Sequence, residues 1–578
     1  MSEPDTKAAI SADCLTAPVQ YAGAIQSHGY LVSCGVSDWT IRHASENLGA
    51  LLGVPSGSLP GMPLQEFLET DVLQRVSDAV AAAGVDTALR VCTANVGTLM
   101  TVCELTAHVS QGLLHIELEP QPREGRLAAP TALAQQMIAR LDVGGDWNAF
   151  FGAVAGQVRE LTGYDRVMVY RFREDDSGEV IAEVRDDDME PYLGLRYPAT
   201  DIPPPARRLY LRNRIRIIPD AGYAPVPVMP ATTAEGEPLD MGQHVLRSVA
   251  PVHLEYLRNM GVAASMSISI ISGGRLWGLI ACHHRSPRNV PAATRVAADL
   301  FGMFVSMRVG AREQELAMER FERAQQVRDA LVLRLARAGD FDLALASELP
   351  QVRAVLECDG ALACLDGGWQ GDGRVPAGEL APLLAWAAAQ GGTPVPHTVA
   401  ADDWAGPGLE AGGLAGVLAI PLGAPGDWLF LFRAEQVEQV GWAGHPSKAL
   451  VPTDDGVRLA PRRSFALWQE EVRGRSCPWT RADLHGAGRL HQILREQRSR
   501  ARASGAELEE LEGRYRRSRL RAQKARLNEV SALLGGLVEV EVADVERLEQ
   551  QISRLEGELR TLLHGPAPGA SKPAKAPV

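Results

Sequence analysis

The stretch YPATDIPPPARRLYLRNRIRIIPD, residues 197–220, sets one acid, Asp201, beside three prolines, Pro203, Pro204 and Pro205, and then a run of arginines and tyrosines. Proline fixes φ and has no N–H to donate, so these prolines predict a rigid shelf and not the interior of a helix. A shelf that offers one carboxylate with several guanidinium groups suits a ligand with a cationic centre and anionic arms. Around the shelf, residues 166–172 and 179–184 alternate or run apolar as strands do. Residues 266–271 and 276–282 do the same, joined by SGGR (272–275), a hairpin signal. Helical spacing of apolar residues spans 133–162.

A chain of 578 residues is too long for one core and predicts roughly three or four domains. Hydrophobic residues make up 46% and charged residues 22%, the balance of a globular chain. The net charge of −13 argues against nucleic-acid or anionic-membrane binding. No apolar run reaches the length of about 18 residues that a transmembrane helix needs. The start, MSEPDTKAAISAD, lacks the basic and apolar regions of a secretory signal. Cys14, Cys34, Cys92, Cys103, Cys282, Cys358, Cys364 and Cys477 form no C-x-x-C pair, so no zinc site is expected and no metal ligands are assigned. A reducing cytoplasm is the expected location.

Upstream of the shelf, residues 15–120 are short apolar runs broken by Gly and Pro, with strands expected at 29–34 and 112–118 and a helix at 73–83. Residues 122–126, PREGR, read as a linker. Downstream, 292–346 reads as a long helix with a break near Gly339, and a mixed domain follows over 341–489. Proline is absent from 482–563, where Val545, Leu548, Ile552, Leu555, Leu559 and Leu562 step by three and four, the a/d seam of a coiled coil. A shorter seam, Leu508, Leu511 and Tyr515, precedes it. Either seam could pack on its own domain; the length and spacing favour a partner helix. Residues after His564 are rich in Gly, Ala, Pro and Lys, the composition of a disordered tail.

Four motifs in order carry a family resemblance over about residues 10 to 500. PATDIPPPAR (198–207) resembles the P-x-S-D-I-P-x-x-A-R signature of the tetrapyrrole-binding domain of bacterial phytochromes, with Thr200 where the family usually has Ser. Asp13–Cys14 followed by GAIQSHG (23–29) resembles the attachment cysteine and the G-A-I-Q-P-H-G segment, with Ser27 for Pro. YLRNMG (256–261) running on to LWGLIACHH (276–284) is the third motif. WAG (442–444) with PRRSF (461–465) resembles the hairpin "tongue" laid over the pigment.

The resemblance implies an α+β multidomain chain. Its parts would be an N-terminal arm (1–14), a PAS-like domain (15–122), a GAF-like chromophore domain (123–310), a PHY domain (311–495) with a tongue at about 438–470, a coiled-coil output helix (496–564) and the tail (565–578). It implies a red/far-red photoreceptor with covalent biliverdin on Cys14, because Val252 stands where the other branch places its cysteine, before His253. Ile25 would pass through the family's knot. Asp201 would offer its backbone carbonyl to the pyrrole N–H groups and its carboxylate to the tongue, with Arg462 as a bidentate partner and Trp442 and Ser464 beside it. Arg216 and Arg247 would clamp one propionate, and Ser265 and Ser267 the other; Ala250 replaces a frequent hydroxyl. His253 and His283 would face the pyrrole water and the last ring's carbonyl, as proton stores. Tyr170, Tyr197 and Tyr256 would wall the rotating ring, with Ile202, Pro203 and Tyr210 completing the pocket. A homodimer through a helical spine and a downstream signalling protein are the expected partners. No kinase or other catalytic output domain is recognisable. The rival readings are a bilin-bound dimer that does not switch and a residual histidine-kinase-type enzyme.

Overall fold

The computed structural model describes residues 19–83, 88–121, 129–142, 144–233, 235–338, 340–390, 395–423, 426–446, 450–453, 456–459, 462, 464–503, 508–535 and 554. Cys14 and the arm, the 122–126 linker, the Val545–Leu562 seam and the tail lie outside the described residues. The chain forms two compact units, Met1–Phe321 with Glu435–Pro478, and Glu322–Ala434 with Trp479–Val578. None of the described helices is long and apolar enough to cross a membrane.

The first unit holds two large sheets. The N-terminal sheet orders its strands Ala24–Ile25, Val226–Met229, Ile41–Ser45, Tyr30–Gly35, Leu113–Pro120, Thr101–Ser110 and Leu89–Val96. Its core is aliphatic, with Val32, Ile41, Leu105 and Ile116 of the strands buried together with Val76 of the helix Thr70–Ala83. Burying one such side chain stabilises the fold by about 1.5–3 kcal/mol. The strand Val226–Met229 comes from the next domain. Together with residues up to Ser248 it embraces the N-terminal segment: Gln26 N donates to Leu246 O (2.8 Å) and Ser248 N to Ala24 O (2.9 Å). Ile25 is fully buried there against Val228, Met241 and Leu246.

The second sheet runs Ile215–Ile218, Ala264–Ser272, Arg275–His284, Arg166–Phe172, Gly178–Arg185, Arg196–Tyr197, Glu438–Ala443 and Leu467–Val472. The expected hairpin turns at Gly273 and Gly274, both at positive φ. The last two strands are a hairpin from far downstream, joined to the edge at Trp442↔Arg196 and by an Arg196–Glu438 ion pair. Helical spacing over 133–162 resolves into two helices, Pro130–Ala139 and Trp147–Thr162, not one. Asp146 caps the second by accepting from Ala149 N, so the intervening Gly-rich turn ends one helix and Asp146 starts the next.

The three prolines also differ from the expectation. Pro203 is the N-cap and Pro204 and Pro205 the first two residues of the helix Pro204–Arg212. The first-turn N–H groups of a helix have no internal partner, so proline costs nothing there. Arg207, Arg208, Tyr210 and Arg212 are therefore helical, whereas Arg214 and Arg216 lie beyond the helix, Arg216 on the strand Ile215–Ile218.

The helix Ala292–Arg337 begins in the first unit and ends in the second. The second unit has a five-stranded sheet, with Leu414–Pro421 and the largely apolar Trp428–Ala434 paired within it, and the helices Arg481–Ala503 and Leu508–Gly535. Tyr515, expected on a seam for a partner helix, is half-buried beside Asp329 of its own unit, and Arg526 pairs with Glu322. The side chains of Leu508 and Leu511, the rest of that seam, lie outside the described residues.

Candidate functional site

Strand register builds the floor of a cavity of about 470 Å³ in the first unit. Arg216 lies opposite Ser267, which lies opposite Ala281; Ser265 lies opposite His283; Leu279 lies opposite Tyr170. Side chains two apart share a face of a strand, so these rows face the cavity together. Gly178 makes room for the Tyr170 ring, since a Cβ there would lie 1.7 Å from it. Helix Pro204–Arg212 is tied to the sheet by Ser269 Oγ, which donates to Tyr210 O (2.7 Å). The helix Pro251–Asn259 brings His253 and Tyr256 to the opposite wall, their rings parallel within 10° at 6.0 Å.

Tyr170, Tyr197, Asp201, Ile202, Pro203, Tyr210, Arg216, Arg247, His253, Tyr256, Ser265, Ser267 and His283 all line this one cavity. The sequence reading did not single out Met168, Met260 or Leu279, which add apolar wall, or Val19, where the described chain begins. Apolar spacing marked them only as core.

The electrostatics are asymmetric. Arg216 donates to Val245 O (2.9 Å) and to Arg247 O, and Arg247 donates to Val19 O (2.9 Å). Among the described residues neither has a carboxylate at ion-pair distance, and Arg247 Nε has no hydrogen-bond partner. Burial lowers both guanidinium pKa values; for Arg247, burial and the neighbouring Arg216 bring it down to about 9. Buried cations without anions are costly, so this end of the cavity is built for an anionic group. At the other end burial pushes the Tyr197 and Tyr256 hydroxyls well above their usual range, leaving them neutral donors. Burial, with Arg166 and His253, pushes His283 down to about 3, so its imidazole is neutral. Its Nδ1 has no hydrogen-bond partner among the described residues.

Asp201 ends a short 3-10 turn, Ala199–Asp201. Its Oδ2 accepts from Tyr256 OH (3.4 Å) and faces Arg462 Nε at 3.6 Å, with both charged side chains 4% exposed. The pair is not bidentate as expected. Arg462 turns its two other nitrogens to the carbonyls of Ala443, Gly444 and Pro446 in its own hairpin, so only Nε is left for the acid. Gly444 permits this closure at φ 77, where a Cβ would meet Ser464 O at 2.1 Å. Phe465 packs edge-on to Tyr256 at 5.1 Å. Two expected tongue residues stay outside the cavity. Trp442 donates to Glu470 (2.7 Å) across the hairpin, and Ser464 is exposed, with its Oγ accepting from Ala466 N.

Ala250 is the N-cap of Pro251–Asn259 and offers no side-chain cap. Ala250→Ser is expected to stabilise the fold by about 1 kcal/mol, read as a raised midpoint in urea unfolding; an unchanged or lowered midpoint would contradict the capping argument.

Outside the cavity, His108, His115 and His244 converge in the buried interior of the first unit, with candidate ligand atoms within 4.8 Å of one another. No metal ligands were expected from the sequence. His108 and His115 face each other across the hairpin at Gln111–Gly112, a pairing the turn alone could have revealed; His244 could not be placed that way.

Sequence models of three families match: "PAS fold" over residues 14–121, "GAF domain" over 146–309 and "Phytochrome region" over 324–503. These matched regions include no catalytic domain. A bacteriophytochrome of Pseudomonas aeruginosa is 39% identical over 500 residues, covering 84% of this chain and 66% of its own length. A bacteriophytochrome of Xanthomonas campestris is 33% identical, covering 83% of this chain and 78% of its own. The chain thus spans just under two thirds of the first of these. Among solved structures, a bacteriophytochrome from R. palustris superposes with a TM-score of 0.69 at 32% identity, covering 82% of this chain and 96% of that one. The photosensory core module of a Stigmatella aurantiaca phytochrome gives 0.69 at 35% identity, covering 84% and 97%.

Proposed function

Because this chain belongs to the phytochrome family, we propose that it is a red/far-red photoreceptor whose cavity holds biliverdin, a linear tetrapyrrole, joined covalently to Cys14. The observation that carries the reading is the cavity's polarity. Two buried guanidinium groups without carboxylate partners lie at one end, and a carboxylate, neutral tyrosines and a neutral imidazole at the other. A flat pigment with two propionate arms and a row of pyrrole N–H groups matches both ends.

When bound, the pigment supplies red-light absorption and isomerisation about one of its double bonds. Arg216 and Arg247 hold one anionic arm, and Ser265 and Ser267 take the other. The Asp201 carbonyl accepts from N–H groups. His283 hydrogen-bonds at the far ring, and Tyr170, Tyr197 and Tyr256 bound the space in which that ring turns. Asp201 is shared between cavity and tongue, so any shift of its hydrogen bonds alters the hold of Arg462 on the hairpin. The hairpin runs directly into the second unit at Ala434 and Trp479, which gives the signal a covalent route.

Cys14 lies five residues before Val19, a cavity-lining residue, and five extended residues span at most ~17 Å, enough for the thiol to reach a terminal ring. Its Sγ–H adds across a vinyl group; a C–S bond forms, the proton passes to the neighbouring carbon, and no oxidant is needed. Cys14→Ser is expected to abolish pigment that co-migrates with the denatured polypeptide while pigment still binds the folded chain. A surviving denaturation-resistant adduct would refute the assignment.

The reading extends to a homodimer along the helix Ala292–Arg337. Met303, Met307, Met318 and Phe321 are 40–70% exposed there and fall on one helical face. Met307→Glu is expected to convert dimer to monomer in analytical ultracentrifugation, and an unchanged mass would exclude this face. A downstream signalling partner and a cytoplasmic location complete the proposal.

A further inference from the structure

We propose that His108, His115 and His244 form a binding site for a divalent cation of the zinc class, which fastens the loop around the N-terminal segment to the N-terminal sheet. The three rings come from three separate places. His108 lies on Thr101–Ser110, His115 directly opposite on Leu113–Pro120, and His244 in the segment that leads from Val226–Met229 towards Arg247. All three are at most 1% exposed. His108 and His115 stack at 4.8 Å, and His244 stands edge-on to both at 4.7 Å, so the ring nitrogens converge and do not merely neighbour one another.

Among the described residues neither nitrogen of His108 has a hydrogen-bond partner, and His244 has only a weak contact to the Met241 backbone. Buried polar groups are normally paired, and under-satisfied nitrogens gathered in one cluster call for a partner that the protein does not supply. The third ring is fixed by Ser33 Oγ, which lies 2.7 Å from His115 Nδ1, while Nε2 makes a long 3.3 Å contact to Ser110 O that a metal would replace. An outer hydrogen bond that fixes a ligating imidazole is the usual support of a metal site.

Three imidazoles without a thiolate suit zinc, nickel or copper(II) better than magnesium or calcium. Tetrahedral zinc at about 2.0–2.1 Å from each nitrogen needs them roughly 3.3–3.4 Å apart. The candidate ligand atoms now lie within 4.8 Å of one another, so binding would require the rings to rotate inward, with a water in the fourth position. The consequence is mechanical. His244 lies three residues before Arg247 on the same loop whose backbone holds Ala24–Ile25, so a bound ion would lock that loop onto the sheet. This inference does not depend on the pigment.

The test uses the full chain carrying its pigment. Wild type, His108→Gln and His244→Gln are equilibrated with zinc, dialysed against a weak chelator and assayed for metal by atomic emission. Wild type should retain about one zinc per chain, and each variant should bind at least ~100-fold more weakly. Zinc should raise the unfolding temperature of wild type and leave those of the variants unchanged. Pigment absorption checks that the variants fold; if either does not, X-ray absorption at the zinc edge of wild type should show three imidazole nitrogens. Wild type that retains no zinc overturns the proposal. So does equal retention in the variants, which would place the ion on the pigment's own nitrogens, or a zinc edge without imidazole ligands.

Discussion

Asp201→Ala is expected to loosen the tongue hairpin by about 3 kcal/mol while the sheet beneath it stays folded, because removing one partner of a buried ion pair leaves the other charge uncompensated. The estimate sits at the low end for such pairs because Nε faces the carboxylate at 3.6 Å and the other Arg462 nitrogens keep their carbonyls. The readout is amide hydrogen exchange at Gly444, whose N–H donates to Ala466 O (3.0 Å) within the hairpin. About 3 kcal/mol corresponds to exchange roughly 100-fold faster there, with little change at the central strand Ala264–Ser272. Photoconversion should suffer more than pigment uptake. Arg462→Lys separates two accounts of the pair. A lysine keeps the charge but cannot reach Asp201 and three carbonyls at once, so it should behave much like Arg462→Ala. Exchange at Gly444 unaltered in Asp201→Ala would show that the acid does not hold the tongue.

Replacing Arg216 or Arg247 with leucine is expected to weaken pigment binding by about 30-fold each, the loss of one charge-assisted hydrogen bond of about 2 kcal/mol. The measurement is a pigment titration in the Cys14→Ser background, where covalent capture cannot hide affinity. The ligand-free chain should respond differently. Each guanidinium donates to backbone carbonyls, which favours the folded state, but each is also a buried cation, which disfavours it. The two terms oppose, so unfolding free energy should change by no more than about 1 kcal/mol. Large destabilisation with undiminished pigment affinity would mean that these arginines serve the fold and not a ligand.

The strands of the pigment-domain sheet were legible because alternation and the Gly273–Gly274 turn mark the hairpin, whereas a bulge at Ile270–Ile271 shifts the pairing by one residue from what the turn alone would give. Register then places Arg216, Ser267, Ser265 and His283 on one face, which is why residues named from motifs converge on one cavity. What was not legible depended on competition between partners. Three prolines read as a shelf because proline forbids a helix interior, yet the first turn tolerates it, and only the following residues decide. Arg462 was expected to give Asp201 two nitrogens; hairpin carbonyls distant in the chain take them instead. The neutral state of His283 follows from burial, which no motif prints.

The central claim is that the cavity holds a pigment whose isomerisation the protein senses. The most direct measurement is an absorption spectrum of the chain assembled with biliverdin, recorded before and after red and then far-red illumination. The account predicts a red-absorbing band that gives way to a far-red band under red light and returns under far-red light. A pigment band that ignores illumination, or no pigment uptake at all, would contradict it.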